Sequence, residues 1–219
     1  MRVVLFGSTG MIGSGALLEC LDDPGVEAVT SVVRKPTGQS HPKLTEVTCA
    51  DFADLSGIEE QLAGHDACLW CLGISAAGLT EETYRHITVD FTRAAAETLH
   101  RLNPEMAFCF ISGSGTDLNS RQMWARVKGE AEQIVLNQGF ARAVCFRPAA
   151  IQPKRGVVSK TRSYRIMYAT MGWLIALLRP VFPGALTDTV TLGRALIRAA
   201  RDGAPTPILE NRDINDLMG

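Results

Sequence analysis

Residues 3–13 read Val-Val-Leu-Phe-Gly-Ser-Thr-Gly-Met-Ile-Gly, and a helical pattern follows them directly. Four apolar residues lead into a turn that contains three glycines. Glycine tolerates positive φ and lets bare backbone approach a ligand, while the unpaired N–H groups and the positive dipole end of a helix attract anions. The stretch predicts a strand, a glycine turn and a helix N-terminus that together bind the pyrophosphate of a dinucleotide.

The glycines are spaced Gly-x-x-Gly-x-x-Gly, whereas the commoner dinucleotide-binding spacing is Gly-x-Gly-x-x-Gly. A tight turn whose glycines serve only packing is the alternative. The nucleotide interpretation is favoured because strand, turn and helix follow one another in the order that phosphate binding requires. We expect the pyrophosphate contacts to come from six consecutive residues, Gly7, Ser8, Thr9, Gly10, Met11 and Ile12.

The composition is that of a globular protein, with 219 residues of which 46% are hydrophobic and 21% charged, and a net charge of −1. A chain of this length buries enough apolar surface to form one stable domain, here residues 1–219, without disulfides. Its near-neutral charge gives no electrostatic attraction to nucleic acid. The expected partner is a small-molecule substrate or none.

The six cysteines are scattered through apolar segments, which indicates buried thiols in a reducing compartment. Cys68 and Cys71 form a Cys-x-x-Cys, but residues three apart in a strand point to opposite faces and do not join easily. The four histidines lack the spacing of metal ligands, so no metal site is predicted. The N-terminal apolar run is short and passes straight into the glycine turn, unlike a cleaved leader, which favours a cytoplasmic location.

Strand and helix patterns alternate along the chain. Strands are predicted at 28–33, 44–48, 67–72, 106–111 and 141–146, with helices at 83–102, 122–137 and 187–201. Such alternation predicts an α/β protein with a doubly wound parallel sheet, Rossmann-like, and a small, mainly helical C-terminal extension. Residues 1–150 would form the nucleotide-binding core and 151–219 a lid on the substrate side. Ligands of such sheets bind at the carboxyl ends of the strands.

Arg34 and Lys35 follow the second strand, about twenty residues past Gly13, where a protein selective for NAD usually has an acid against the ribose 2′-hydroxyl. Two cations suit a 2′-phosphate instead, because guanidinium donors match phosphate oxygens. A solvated basic loop is the alternative. The pair predicts that NADP(H) is preferred over NAD(H).

The ends of the other strands supply further candidate cofactor contacts. After the third strand, Asp51 can accept from the adenine amino group and Phe52 can lie beside the ring, although Asp51 equally suits a helix N-cap. After the fourth strand, Leu72 and Gly73 can pass close to the ribose, or form a plain turn. Pro148, after the sixth strand, is expected to border the nicotinamide.

Residues 112–117 follow the fifth strand as Ser-Gly-Ser-Gly-Thr-Asp, and Trp124 and Lys128 lie on the next helix. Here the chain resembles the atypical short-chain dehydrogenases/reductases, whose superfamily has a serine after the fifth strand and Tyr-x-x-x-Lys on the following helix. The resemblance is strongest to the small NADPH-binding, Tat-interacting oxidoreductase-like group, and it covers nearly the whole chain. It rests on residues 6–13, Arg34-Lys35, Cys71-Leu72-Gly73, Val127-Lys128-Gly129-Glu130, Phe146-Arg147-Pro148 and Leu209-Glu210-Asn211.

Trp124 stands where the resemblance implies the proton-donating tyrosine, while the lysine is kept as Lys128. In the superfamily this lysine contacts the nicotinamide ribose and helps to lower the pKa of the tyrosine. Spacing of four puts both side chains on one helix face, but an indole N–H does not titrate. Because general acid–base catalysis contributes typically ~10²–10⁴-fold, a weak reductase is expected.

The hydroxyls of Ser112 and Ser114 are candidate substitutes for the phenol, although serines at such positions commonly tighten a turn. Tyr164 and Tyr168 are candidates if the C-terminal segment folds over the cleft, although a packing role is favoured for both. Two functions stay open at this point. One is a slow NADPH-dependent reductase or epimerase of a small carbonyl substrate, and the other is a non-catalytic NADPH-sensing or interaction protein.

Beyond residue 153 a basic stretch with Lys160, Arg162 and Arg165 leads to an uncharged apolar segment at 166–178. At ~1.5 Å per helical residue this segment is too short for a hydrocarbon core of ~30 Å. It can serve as a lid over the cleft, pair with a second subunit in a homodimer, or make weak contact with a membrane surface. The lid interpretation is favoured.

Overall fold

The computed structural model describes residues 1–157 and 186–218. The strands are β1 (Arg2–Phe6), β2 (Ala28–Val33), β3 (Leu44–Thr48), β4 (Ala67–Trp70), β5 (Ala107–Ile111), β6 (Arg142–Arg147), β7 (Ala150–Gln152), β8 (Leu186–Asp188) and β9 (Ile208–Glu210). Seven of them form one parallel sheet in the order β3-β2-β1-β4-β5-β6-β9, and β7 and β8 pair separately, also in parallel.

Helices cover both faces of the sheet. They are α1 (Met11–Asp22), a 3₁₀ turn (Ser56–Ile58), α2 (Glu59–Leu62), α3 (Glu81–Arg85), a π-helical turn (His86–Asp90), α4 (Phe91–Leu102), α5 (Met123–Asn137), α6 (Thr189–Asp202) and α7 (Asn211–Asp216). The π turn joins α3 to α4 without a break.

The sheet has a core on each face, as a parallel sheet buried by helices requires. Along β1, Val3 and Leu5 point into the core under α1 and α6, whereas Val4 and Phe6 point into the core under α4 and α5. The predicted doubly wound, Rossmann-like fold with a small helical C-terminal piece is therefore confirmed.

The predicted elements match the structure closely in the first half of the chain, where β2 and β3 have the predicted bounds. The helix predicted at 83–102 is interrupted by the π turn. The helix predicted at 187–201 begins later, because β8 pairs with β7 and the Asp188 carboxylate accepts from the N–H groups of Val190 and Thr191.

The cysteine prediction also agrees with the structure, since all six thiols are buried and unbridged. Cys68 and Cys71 lie in opposite cores. The basic residues Lys160, Arg162 and Arg165, the apolar segment 166–178, and Tyr164 and Tyr168 lie outside the described residues. Within the described ranges, none of the helices has the length and apolar character needed to span a bilayer.

Helices α1 and α6 pack closely because glycines face the contact from both sides. A β-carbon on Gly193 would lie 2.9 Å from Cγ of Glu19 and 3.2 Å from Cα of Ala16, and one on Gly15 would lie 2.7 Å from Cβ of Thr189. The carboxylate of Glu19, 4% exposed, is fixed by Arg155 at 2.6 Å and Arg194 at 2.8 Å. The middle of α1 is thus held against α6.

Replacing Gly193 by leucine should destabilise the fold by about 1–3 kcal/mol, because the pinned Glu19 cannot move aside for the added atoms. Urea unfolding measures this change. Gly57→Leu is the control, since a β-carbon there meets nothing within 4 Å. Equal losses for the two variants would contradict close α1–α6 packing as the cause.

Candidate functional site

The glycine turn connects β1 to α1 through contacts that leave no room for side chains. Gly7 has φ of +82°, and a β-carbon on it would lie 2.5 Å from the Cys71 carbonyl oxygen. A β-carbon on Gly13 would lie 2.1 Å from the carbonyl oxygen of Gly7. The first glycine therefore permits the turn and its approach to the end of β4, and the third lets α1 begin directly against the turn.

The outer side of the turn is open for a ligand. A β-carbon on Gly10 would meet only the Gly7 carbonyl oxygen, at 3.3 Å. Helix α1 starts at Met11 with neither a side-chain cap nor an acidic residue in its first turn. Unpaired N–H groups and the helix dipole at such an end favour an anion, so this backbone fits a pyrophosphate.

The six predicted pyrophosphate contacts differ in how their side chains are used. Ser8 is buried, and its hydroxyl accepts a hydrogen bond from Ser31 on β2 at 2.7 Å, so its side chain is held inside the turn. Thr9 is exposed. Met11 and Ile12 are half-buried against the core.

Arg34 and Lys35 are exposed and follow β2 directly. The register pairs Phe6 with Val32, so both cations lie at the edge of the sheet that carries the glycine turn. In the described part of the chain, neither cation is in an ion pair. They are available to a phosphate at this edge.

The two residues after β3 face different environments. The Asp51 carboxylate accepts from the N–H of Ala53 at 2.9 Å, a local turn rather than the predicted helix N-cap, because the following 3₁₀ turn starts later, at Ser56. Phe52 is 4% exposed and packs edge-on against Phe6 and Phe91 at 5.9 Å. Its ring is a core side chain, and the exposed Asp51 is the residue of the two that faces solvent.

Leu72 and Gly73 follow β4 and abut the glycine turn. The amide nitrogen of Leu72 lies 2.7 Å from the position of a β-carbon on Gly7. Gly73 is exposed, and a β-carbon on it would meet nothing within 4 Å. The structure thus brings this strand end against the turn and leaves its outer surface open.

The two candidate serines after β5 differ in burial. Ser112 is 6% exposed, and its hydroxyl lies 3.0 Å from that of Thr116, which donates its own proton to the Gly113 carbonyl at 2.7 Å. Ser112 therefore supplies the proton of the serine–threonine bond. Ser114 is exposed, and its N–H donates to the Pro148 carbonyl at 3.0 Å, which places Pro148 beside the serine loop.

Trp124 lies over the serine loop. Its six-membered ring is 3.7 Å and 3.6 Å from the positions of β-carbons on Gly113 and Gly115. The indole N–H donates to the side-chain oxygen of Gln122 at 2.8 Å. The indole thus fills space against the loop while its single donor is paired with a neighbour.

Lys128 lies one helical turn after Trp124 and points back to the sheet. Its Nζ donates to the Ile111 carbonyl at 3.1 Å and lies 5.5 Å from the ring centroid of Phe110. Burial lowers the pKa of Lys128 from 10.5 to about 8, against the opposing effects of Glu132 and Cys145.

An ion cluster next to Lys128 was not among the residues predicted from the sequence. Glu132, 1% exposed, accepts from Arg147 through both oxygens at 2.9 and 2.6 Å, and Arg147 also contacts Glu210 at 3.0 Å. The sequence feature that could have indicated this cluster is Glu132, a carboxylate four residues after Lys128 on an otherwise apolar helix face. A cavity of about 330 Å³ opens beside Thr116, Glu132 and Arg147.

Comparisons with known proteins give both relatives and similar folds, although no protein-family model matches the chain. The protein fmp52, mitochondrial, of Aspergillus clavatus is 31% identical over an alignment of 173 positions, which covers 70% of this chain and 68% of the relative. The FMP52 protein, mitochondrial, of Candida albicans is 24% identical over an alignment of 211 positions, which covers 93% of this chain and 89% of the relative.

Two of the similar solved structures are those of bacterial enzymes. WbmH of Bordetella bronchiseptica, solved in complex with NAD⁺, has a TM-score of 0.69 at 17% identity and covers 98% of this chain and 79% of its own. Uronate dehydrogenase of Agrobacterium tumefaciens has a TM-score of 0.67 at 16% identity, covering 95% and 75%. At this identity the likeness shows the fold that these proteins share.

The comparisons overturn the location predicted from the sequence. The relatives from Aspergillus and Candida carry the designation mitochondrial in their names, so the prediction of a cytoplasmic protein is wrong. Buried cysteines indicate a reducing environment, and the short N-terminal apolar run is only a local pattern. Neither feature identifies a compartment. Membership of the Tat-interacting oxidoreductase-like group and the replacement of the tyrosine by Trp124 stay predictions.

The lowered pKa of Lys128 predicts a pH-dependent stability. Between about pH 8 and pH 10 the unfolded chain binds a proton that the folded chain has released, so the free energy of unfolding rises with pH in this range. Lys128→Met should lack this rise. Urea unfolding of the wild type and of Lys128→Met between about pH 8 and pH 10 measures the effect, because the contributions of all other titrating groups cancel when the two free energies of unfolding are subtracted. A difference that stays constant with pH would contradict the lowered pKa of Lys128.

Proposed function

This chain belongs to the family of the fungal Fmp52 proteins, and we propose that it binds NADP(H) and acts as a weak oxidoreductase or epimerase on a small carbonyl substrate. The observation that carries the proposal is the backbone geometry of the glycine turn. The NAD⁺ complex of WbmH, a protein of similar fold, supports a nicotinamide cofactor. The exposed cations Arg34 and Lys35 support the preference for NADP(H).

The proposed cofactor lies across the carboxyl edge of the sheet. The backbone of residues 7–12 holds the pyrophosphate at the N-terminus of α1, and Arg34 with Lys35 holds the 2′-phosphate. Asp51 lies on the adenine side and Gly73 near the ribose. Helix α5 and the serine loop border the nicotinamide end, where the resemblance to short-chain dehydrogenases/reductases assigns Lys128 to the ribose and Pro148 to the nicotinamide.

When bound, the nicotinamide supplies or accepts the hydride, and the protein must handle the accompanying proton. The indole of Trp124 does not titrate, and the proton of Ser112 is committed to Thr116. Lys128 has a pKa of about 8 and carries a transferable proton near neutral pH. A reaction without the phenol is expected to be slow.

A second candidate function, a non-catalytic NADPH-sensing protein, is favoured by the geometry of Trp124. Its ring covers the serine loop and its N–H is paired with Gln122, an arrangement that packs well and transfers no proton. In this case bound NADPH would act as a structural or regulatory ligand. The assignment of residues 151–219 to a substrate-side lid is a proposal in both cases.

Replacing Arg34 and Lys35 together by alanine should weaken NADPH binding by about 10–100-fold, because two charge-assisted contacts to the 2′-phosphate are lost. NADH, which lacks that phosphate, should bind with nearly unchanged affinity. Calorimetric titration with both nucleotides measures this. The control is the double variant in which the exposed Arg93 and Arg212 are both replaced by alanine. An equal loss of NADPH and NADH affinity in the Arg34 and Lys35 variant would contradict the assignment.

Replacing Trp124 by tyrosine tests the two functions against each other. If the site is a reductase that lacks only its phenol, NADPH oxidation with a panel of small carbonyl compounds should increase by about 10²–10⁴-fold. Trp124→Phe is the matched control and should give no increase. No turnover by the wild-type protein or by Trp124→Tyr, with NADPH binding intact in both, would reject the enzyme in favour of the sensing protein.

A further inference from the structure

The loop between β2 and β3 carries an acid–hydroxyl contact that the cofactor assignment does not use. Residues 34–40 are all exposed, and the loop folds back so that Thr37 meets Glu46 on β3. The N–H of Thr37 donates to Oε2 of Glu46 at 2.9 Å, and the hydroxyl of Thr37 donates to Oε1. Both oxygens of the carboxylate therefore have a partner from one residue.

Glu46 lies on β3, the strand next to β2, which leads into Arg34 and Lys35. It pairs in register with Ser31, which in turn pairs with Leu5 on β1. Paired residues of parallel strands point to the same face, and the hydroxyl of Ser31 donates to Ser8 in the glycine turn. The carboxylate thus lies on the α1 face of the sheet, two strands from the turn, and its partner Thr37 follows Lys35 by two residues in the loop.

A carboxylate at this place has two ways to oppose a 2′-phosphate. It repels the phosphate directly, and it can pair with Arg34 or Lys35 and so neutralise the cations that the phosphate needs. Neither cation contacts Glu46 in the described structure, where the N–H and the hydroxyl of Thr37 hold the carboxylate in one orientation.

We propose that Thr37 is a residue that determines cofactor specificity, because it holds the Glu46 carboxylate away from Arg34 and Lys35 and so keeps both cations available to the 2′-phosphate. The inference rests on the proposed NADP(H) preference and deepens it. Thr37 acts through Glu46 and is a positioning residue. Its hydroxyl also accepts from the N–H of Gln39 at 3.2 Å, which orders the loop beyond it.

Four variants test the inference, and calorimetric titration measures the affinity of each variant for NADPH and for NADH. Thr37→Val keeps the shape and loses the hydroxyl, and it should bind NADPH about fivefold more weakly, an effect of the size of a surface charge contact, while NADH changes by less than about twofold. Thr37→Ser restores the hydroxyl and should bind like the wild type. Glu46→Gln removes the charge and should bind NADPH at least as tightly as the wild type.

The double variant Thr37→Val with Glu46→Gln separates charge from loop order. Without the charge there is nothing for Thr37 to restrain, so the double variant should bind NADPH like Glu46→Gln alone. Thermal unfolding of each variant checks that it is folded. If Thr37→Val does not fold, the NADPH affinity of Glu46→Gln, which must not fall below that of the wild type, decides the inference. NADPH affinity that falls in Glu46→Gln, or that does not change in a folded Thr37→Val, would overturn the inference.

The same titrations distinguish failure of this inference from failure of the proposed function. If the wild-type protein binds NADPH no more tightly than NADH, the proposed cofactor preference fails. If it prefers NADPH and Thr37→Val keeps the full preference, only the role of Thr37 fails.

Discussion

The contact between Gly13 and the carbonyl of Gly7 is the constraint on which the candidate site depends. Since a β-carbon at residue 13 would lie 2.1 Å from that oxygen, α1 can begin against the turn only with glycine there. Gly7 can lie against the end of β4 only because it has no β-carbon, which would come within 2.5 Å of the Cys71 carbonyl oxygen. These close approaches fix the direction of α1, and its N-terminal N–H groups consequently face the carboxyl edge of the sheet, where a parallel α/β fold binds its ligands.

The candidate site has a positively charged end that fits phosphate and, at its other end, an indole one helical turn from a lysine. The N-terminus of α1 and the exposed Arg34 and Lys35 supply the positive potential at the first end. At the other end, the indole of Trp124 carries no titratable group, and Lys128 lies beside the buried Glu132. Under the proposed function, these residues are better suited to hold a cofactor than to transfer a proton.

Sequence patterns predicted the parts of this structure that depend on local chemistry. The glycine turn, β2, β3 and the alternation of buried strands follow from backbone freedom and hydrophobic periodicity, which act within a few residues. The Glu132–Arg147–Glu210 cluster and the Thr37–Glu46 contact join residues that only the sheet topology brings together. The burial of Phe52 likewise depends on Phe6 and Phe91, which are distant in the chain. The compartment could not be read from residues that are shared by proteins of many locations.

The most direct test of the account is an NMR titration of ¹⁵N-labelled protein with NADPH. If the helix N-terminus binds the pyrophosphate, the backbone amide signals of Gly10, Met11, Ile12 and Gly13 should shift in a saturable way, together with those of Arg34 and Lys35. The amide of Asp66, at the opposite edge of the sheet, should not shift. Unchanged signals at residues 10–13 in the presence of millimolar NADPH would contradict the account.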